Sequence, residues 1–173
     1  LGPGAGALAR YVALVVLAAT SALEPPLRPL LRRTPRPVLL AGTSATPPLR
    51  PGGRPLLAFD GGEKSEEALF ALAYLALSYD LEPVVLHVGG GRQSEEVLAR
   101  ATEYLGRLGV AATSLGRRGP VAETILGVAR EHASRIVLMG SHTHARWLEE
   151  LMGGVLEQVI ERAQADGFSV LVT

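Results

Sequence analysis

From Pro55 to the C-terminus, short runs of valine, leucine and isoleucine alternate with longer amphipathic runs. That alternation limits the fold more than any other feature of the chain. Leu56-Leu57-Ala58-Phe59, Pro83 to Val88, Val110 to Leu115, residues 135–139 and residues 169–172 are each of strand length. Between them lie four helical stretches. The first is capped by Ser65 and runs to about Ser78, with Glu66 and Glu67 suited to its first turn. The second is capped by Ser94, runs to Leu108 and is stopped by Gly109. The third opens with Pro120 at its first position and ends near Ala133, and the fourth spans about 154–165. Parallel strands need crossover helices and, being covered on both faces, show continuous apolar runs. The pattern therefore predicts an α/β fold: a doubly wound parallel sheet with right-handed crossovers.

In such a sheet a ligand lies beyond the carboxyl ends of the strands, where the strand order reverses. Two turns compete for that place. Strand 56–59 ends in Asp60-Gly61-Gly62, and strand Ile136-Val137-Leu138-Met139 opens into Gly140-Ser141-His142-Thr143. Gly153-Gly154-Val155 then precedes the last helix. A glycine turn after a buried strand, with a glycine pair at a helix start, gathers main-chain amides around an anion. The helix dipole there is worth about 0.3–1 kcal/mol per anion. Asp60 offers two acceptor oxygens to a ligand, but aspartate before Gly-Gly is also a common turn former. The glycines likewise serve either a phosphate or close packing. Glu149 and Glu150 sit in the spacer, where a cation would suit phosphate better.

The spacing of Gly140, two residues, Thr143, nine residues and Gly153-Gly154 resembles the nucleotide-binding signature of the universal stress protein family. Thr143 stands where that signature has glycine, and Gly154 where it has serine or threonine. The resemblance extends to Leu56 through Gly62 with Ser65-Glu66-Glu67-Ala68, to Leu86-His87-Val88, and to Gly119 through Ile125, so it covers residues 54–173. It implies a five-stranded sheet of order 3-2-1-4-5 with strands 1 and 4 at the reversal. It also implies ATP or another adenine nucleotide, with Mg2+ accompanying a triphosphate. The contacting residues would be Ala58, Phe59, Asp60, Val88, Gly140, Ser141, His142, Thr143, Gly153, Gly154 and Val155. The function so implied is a regulatory stress-response module in the cytoplasm, not an enzyme. A nucleotide-free dimerisation or scaffold protein, or a weak ATP hydrolase, is the alternative.

Upstream, Tyr11 to Leu17 is a valine-rich apolar run, Leu23 to Arg33 carries leucines at helical spacing, and Pro37 to Ala41 is a second short strand. Leu8 to Leu23 is also long enough to raise a membrane span or signal core. Arg10 interrupts it and no basic leader precedes it, so a buried strand is the better reading. The piece resembles the last strand-helix-strand of another such domain. The division is thus residues 1–42 as a degenerate partial repeat, 43–54 as a linker and 55–173 as the nucleotide-binding domain. The family pairs its last strands between subunits. Strand 37–41 is accordingly expected to pair antiparallel with 169–172, as an intrachain pseudo-dimer or in a homodimer. The free side of strand 12–17 is expected to be covered by upstream residues or a partner chain.

Composition closes off other classes. A length of 173 residues with 47% hydrophobic residues supports a sizeable core. A net charge of zero marks no nucleic-acid or anionic-membrane partner. The lack of cysteine removes disulfides and thiolate chemistry. His87, His132, His142 and His144 invite a metal reading, but no acidic ligand motif accompanies them, and core or surface histidines are commoner. No nucleophile elbow, Walker lysine or HExxH is present.

One test follows from the two departures. Thr143→Gly combined with Gly154→Ser is expected to tighten triphosphate binding by about one hydrogen bond, roughly 1 kcal/mol, with an unchanged circular dichroism spectrum. Equal affinities by calorimetry would show that this loop is not a phosphate site.

Overall fold

A computed structural model describes residues 14–18, 36–45, 47–141 and 154–173. Its strands are β1 (Val15–Ala18), β2 (Val38–Ala41), β3 (Leu56–Ala58), β4 (Val84–Val88), β5 (Thr113–Arg117), β6 (Ile136–Met139) and β7 (Ser169–Val172). Its helices are α1 (Glu63–Tyr79), α2 (Arg92–Arg107), α3 (Val121–Glu131) and α4 (Val155–Ala165). One seven-stranded sheet has the order β1-β2-β7-β6-β3-β4-β5. The expected five strands are therefore corrected to seven. Counted from β3, the five downstream strands keep the order 3-2-1-4-5, and β1 and β2 extend that sheet past β7.

The chemistry of the strands explains the layering. β6 and β7 are buried at every position, because helices cover both faces of the sheet there. Successive side chains of β3 point to opposite faces, so Leu56 joins the layer beneath α3 and α4, and Leu57 the layer beneath α1 and α2. The first layer also takes in Val84, Leu86, Val137, Met139, Val170, Val172 and, from β2, Val38 and Leu40. Each such side chain contributes about 1.5–3 kcal/mol on burial. β5 is different. It is an edge strand whose residues are exposed except for half-buried Leu115. The sequence placed it at 110–115, drawn by Val110, which is buried in the connection after Gly109.

Helix starts were misplaced for one shared reason. Gly62 and Gly91, not serine, occupy the caps of α1 and α2. Ser65 and Ser94 stand at the third helical position. The Ser65 hydroxyl reaches back to accept from the Gly61 N–H at 3.1 Å. Ser94 is buried and finds no hydrogen-bond partner among the described residues. Pro120 is the cap of α3 and not its first residue.

The N-terminal strands join as the sequence suggests. β1 runs parallel to β2, and β2 pairs antiparallel with β7 through Val38↔Val172, Leu39↔Leu171 and Leu40↔Val170, all within one chain. Gly42 N–H donates to Ser169 Oγ at 3.0 Å and Ser44 N–H to Gly167 O at 3.2 Å, fastening the seam. β1 ends the sheet with Val16 58% exposed. The expected helix 23–33 and residues 11–13 of the expected first strand lie outside the described residues. No helix among the described residues is long and apolar enough to cross a membrane.

Leu40, only 2% exposed, tests whether β2 belongs to the same cooperative unit as the downstream sheet. Leu40→Ala is expected to cost about 2–5 kcal/mol in a single denaturant transition. A transition unchanged in midpoint would mean that β2 only rests against β7.

Candidate functional site

β3 lies at the centre of the sheet, with β4 on one side and β6 on the other, so the strand order reverses between β3 and β6. Diverging connections leave space at the carboxyl ends there. A cleft of about 220 Å3 occupies that space. Ala58, Phe59 and Asp60 enter it from β3 and its turn, and His87 and Val88 from β4. Met139 and Gly140 close it from β6, Val121 and Ile125 from α3, and Val155 from α4. Most of this wall is apolar, with Asp60, Ser65 and His87 as its polar side chains. A concave apolar site with a few convergent polar groups is the usual form of a small-molecule site.

The Asp60 turn is held from several sides. Asp60 Oδ1 accepts from Gly62 N–H at 2.8 Å, the turn-forming use of an aspartate before Gly-Gly. Gly61 has φ 81°, a conformation that glycine adopts without strain. Ser65 Oγ accepts from Gly61 and donates to Gly62 O at 2.9 Å, fixing the turn to the first turn of α1. Asp60 itself is exposed, at the mouth of the cleft, and Oδ2 has no partner among the described residues.

Across the cleft floor, Phe59 is 2% exposed and its N–H donates to Leu86 O at 2.8 Å. His87 Nδ1 lies 2.8 Å from Phe59 O. A carbonyl only accepts, so the proton of this contact sits on Nδ1. In the sequence His87 stands in the Leu86-His87-Val88 strand and among the histidines of the metal reading, not among the expected contacts. The metal cluster it belonged to falls partly outside the described residues, since His142 and His144 do.

Gly140 is packed more tightly than a turn requires. A Cβ there would lie 2.7 Å from the Lys64 carbonyl carbon and 2.8 Å from Ser65 N. Nearby, Thr173 Oγ1 donates to Lys64 O at 2.9 Å, and Ser141 N–H donates to Thr173 O at 2.9 Å. The ends of β6 and β7 are thereby locked onto the start of α1. Gly154 caps α4, and Val155, its first residue, reaches the cleft.

Of the residues singled out in the sequence, Ala58, Phe59, Asp60, Val88, Gly140 and Val155 line one cleft. Ser141 and Gly154 flank it without lining it. His142, Thr143 and Gly153 lie outside the described residues. Val121, Ile125, Leu86, Met139 and Ser65 were missed. Val121 and Ile125 did carry a signal, being apolar and four apart at a helix start next to a strand end.

Residues 89–172 match the model of the Universal stress protein family. No curated protein matches the chain. Among solved structures, a universal stress protein from Archaeoglobus fulgidus DSM 4304 superposes with a TM-score of 0.79 at 19% identity. That match covers 96% of this chain and 62% of the other, so the chain spans less than two thirds of that relative. A universal stress protein in complex with cAMP gives 0.60 at 16% identity, over 70% of this chain and 95% of its own. A universal stress protein from Archaeoglobus fulgidus in complex with dAMP gives 0.54 at 18%, over 69% and 95%. At these identities the likeness is one of fold.

The packing at Gly140 gives a test with an internal control. Gly140→Ala drives a methyl group into main chain and is expected to destabilise by about 1–3 kcal/mol in thermal or urea unfolding. Gly106→Ala, in α2 with nothing within 4 Å of the new methyl, is expected to stabilise by about 0.5–1 kcal/mol. Equal effects of the two changes would mean that β6 and α1 separate freely at this point.

Proposed function

We propose that this chain, which carries a universal stress protein domain in residues 89–172, is a regulatory module that holds an adenine nucleotide in the cleft between the ends of β3 and β6. The observation that carries the reading is convergence. Asp60, Val88, Gly140 and Val155 come from four separate elements to one cleft at the reversal point. The apolar walls formed by Ala58, Leu86, Ile125 and Met139 suit a flat base. Asp60 offers carboxylate oxygen to ribose hydroxyls, and the N-terminal end of α4 offers the positive end of a helix dipole to phosphate. In this reading Ser141, His142, Thr143, Gly153 and Gly154 form the phosphate side. Solved relatives hold cAMP and dAMP, which supports an adenine nucleotide as the ligand class. ATP with Mg2+ belongs to the same class.

The reading assigns binding and no catalysis, in the cytoplasm. It treats residues 1–42 as the remnant of a second domain, 43–54 as a linker and 55–173 as the binding domain. The last strands act as the joining surface, within the chain or in a homodimer. A second reading, a scaffold without nucleotide, is favoured by the Asp60 turn, since one carboxylate oxygen is already used by Gly62 N–H.

Calorimetry with AMP, cAMP and ATP separates the two. Wild type is expected to bind at least one of them, and Asp60→Ala to weaken it about tenfold, or 1.4 kcal/mol. No heat with any of the three at millimolar concentration leaves the scaffold. Equal affinities for wild type and variant remove Asp60 from the site and keep the nucleotide. Phosphate release from ATP, followed in the same samples, would restore the hydrolase.

A further inference from the structure

We infer that Arg100, on α2 and outside the cleft, is the positioning residue for Asp60, acting through the single peptide unit between Gly61 and Gly62. The inference rests on the nucleotide reading above for what Asp60 does, but its geometry stands alone. Arg100 Nη2 donates to Gly61 O at 2.7 Å. On the other side of that peptide, Gly62 N–H donates to Asp60 Oδ1 at 2.8 Å. Guanidinium, carbonyl, amide and carboxylate thus form one chain of hydrogen bonds, charged at both ends. Such chains polarise each member, and bonds with an ionised partner are the stronger kind.

The peptide needs holding because of its sequence. It joins two glycines, Gly61 at φ 81° and Gly62 at φ −80°. Glycine occupies positive and negative φ with similar ease, so rotating this peptide about its flanking bonds meets little steric resistance. Rotation would turn the Gly62 N–H away from Asp60 and free the carboxylate to take other rotamers. Ser65 ties the Gly61 N–H, which belongs to the preceding peptide, and so does not prevent this. Among the described residues, Arg100 makes the one side-chain hydrogen bond to the carbonyl that must move.

Arg100 is itself fixed. Its guanidinium carbon lies 5.7 Å from the centre of the Phe59 ring, within cation–π range. Glu66 Oε1 lies 3.3 Å from the same Nη2. A Cβ on Gly61 would meet Nη2 at 2.8 Å, so glycine at 61 also makes room for the approach. Phe59 and Asp60 are adjacent cleft residues, and one arginine therefore braces both from behind. Lysine would not substitute. A single ammonium lacks the planar group that lies on a ring while directing an N–H at a carbonyl. The Glu66 pair is half exposed at both ends, and such pairs contribute little on their own.

The experiment compares wild type, Arg100→Met, Arg100→Lys and Glu66→Gln by amide exchange at Gly62 in NMR and by calorimetry with AMP. Both Arg100 variants are expected to speed Gly62 exchange about tenfold, with Val85 and Leu86 amides in β4 unchanged as evidence of an intact sheet. They are expected to weaken AMP about fivefold, the scale of one lost hydrogen bond. Glu66→Gln is expected to leave both readouts within about twofold. Unchanged Gly62 exchange in Arg100→Met overturns the inference. So does rescue by lysine, or faster exchange with unaltered AMP affinity. If wild type binds no AMP, cAMP or ATP, the nucleotide reading falls, while Gly62 exchange still decides whether Arg100 holds the turn.

Discussion

The pairing of β3 with β4 on one side and β6 on the other is the constraint from which the rest of the structure follows. β3 is three residues long, and Leu56 and Leu57 have no exposed surface. Each faces a different layer, so one short strand seeds both cores. Its two neighbours are both parallel to it, which obliges the chain to return over the sheet by helices. Those helices diverge above the β3–β6 boundary, and the cleft is what their divergence leaves. Shortening β3 would dissolve the reversal and, with it, the space between Asp60 and Gly140.

The residues around that space serve packing and recognition together. Gly140 is glycine because main chain of α1 occupies the place of a side chain. That close approach sets its main chain into the lining of the cleft. Asp60 shapes its own turn with one oxygen and keeps the other for the mouth of the site. His87 donates from Nδ1 to Phe59 O just past β3, which orients the rest of its ring at the cleft. In each case a structural contact uses part of a group's bonding capacity and orients what remains. A loop free of such contacts would have to lose entropy on meeting a ligand, and this one is already ordered.

Much of this was legible in the sequence where burial and chain chemistry agree. β6 and β7 are covered on both faces, so their apolar runs gave their bounds to within a residue. β5 was displaced because an edge strand needs no apolar run, and its register is set by β4 through pairs such as Val84↔Thr113. The caps of α1 and α2 slipped by three residues because serine at the third position looks, locally, like serine at the cap. Asp60 and Gly140 stood out through turn chemistry. Leu86 and Met139 did not, because an apolar residue lining a cleft and one filling a core have the same letter. Arg100 had no local signal either. Its meaning comes from Gly61, thirty-nine positions earlier in the chain.

The antiparallel seam between β2 and β7 reverses the direction of the sheet partway across. β6 and β7 deliver their carboxyl ends to the rim that holds the cleft, whereas Ala18 and Ala41 end β1 and β2 on the opposite rim. Gly42 accordingly meets the start of β7, not its end. Strand carboxyl ends therefore lie on both rims of the sheet, and β7 runs between them. β7 is thus held at both rims: Ser169 at its start takes the Gly42 N–H, and Thr173 just past its end donates to Lys64 O at the start of α1.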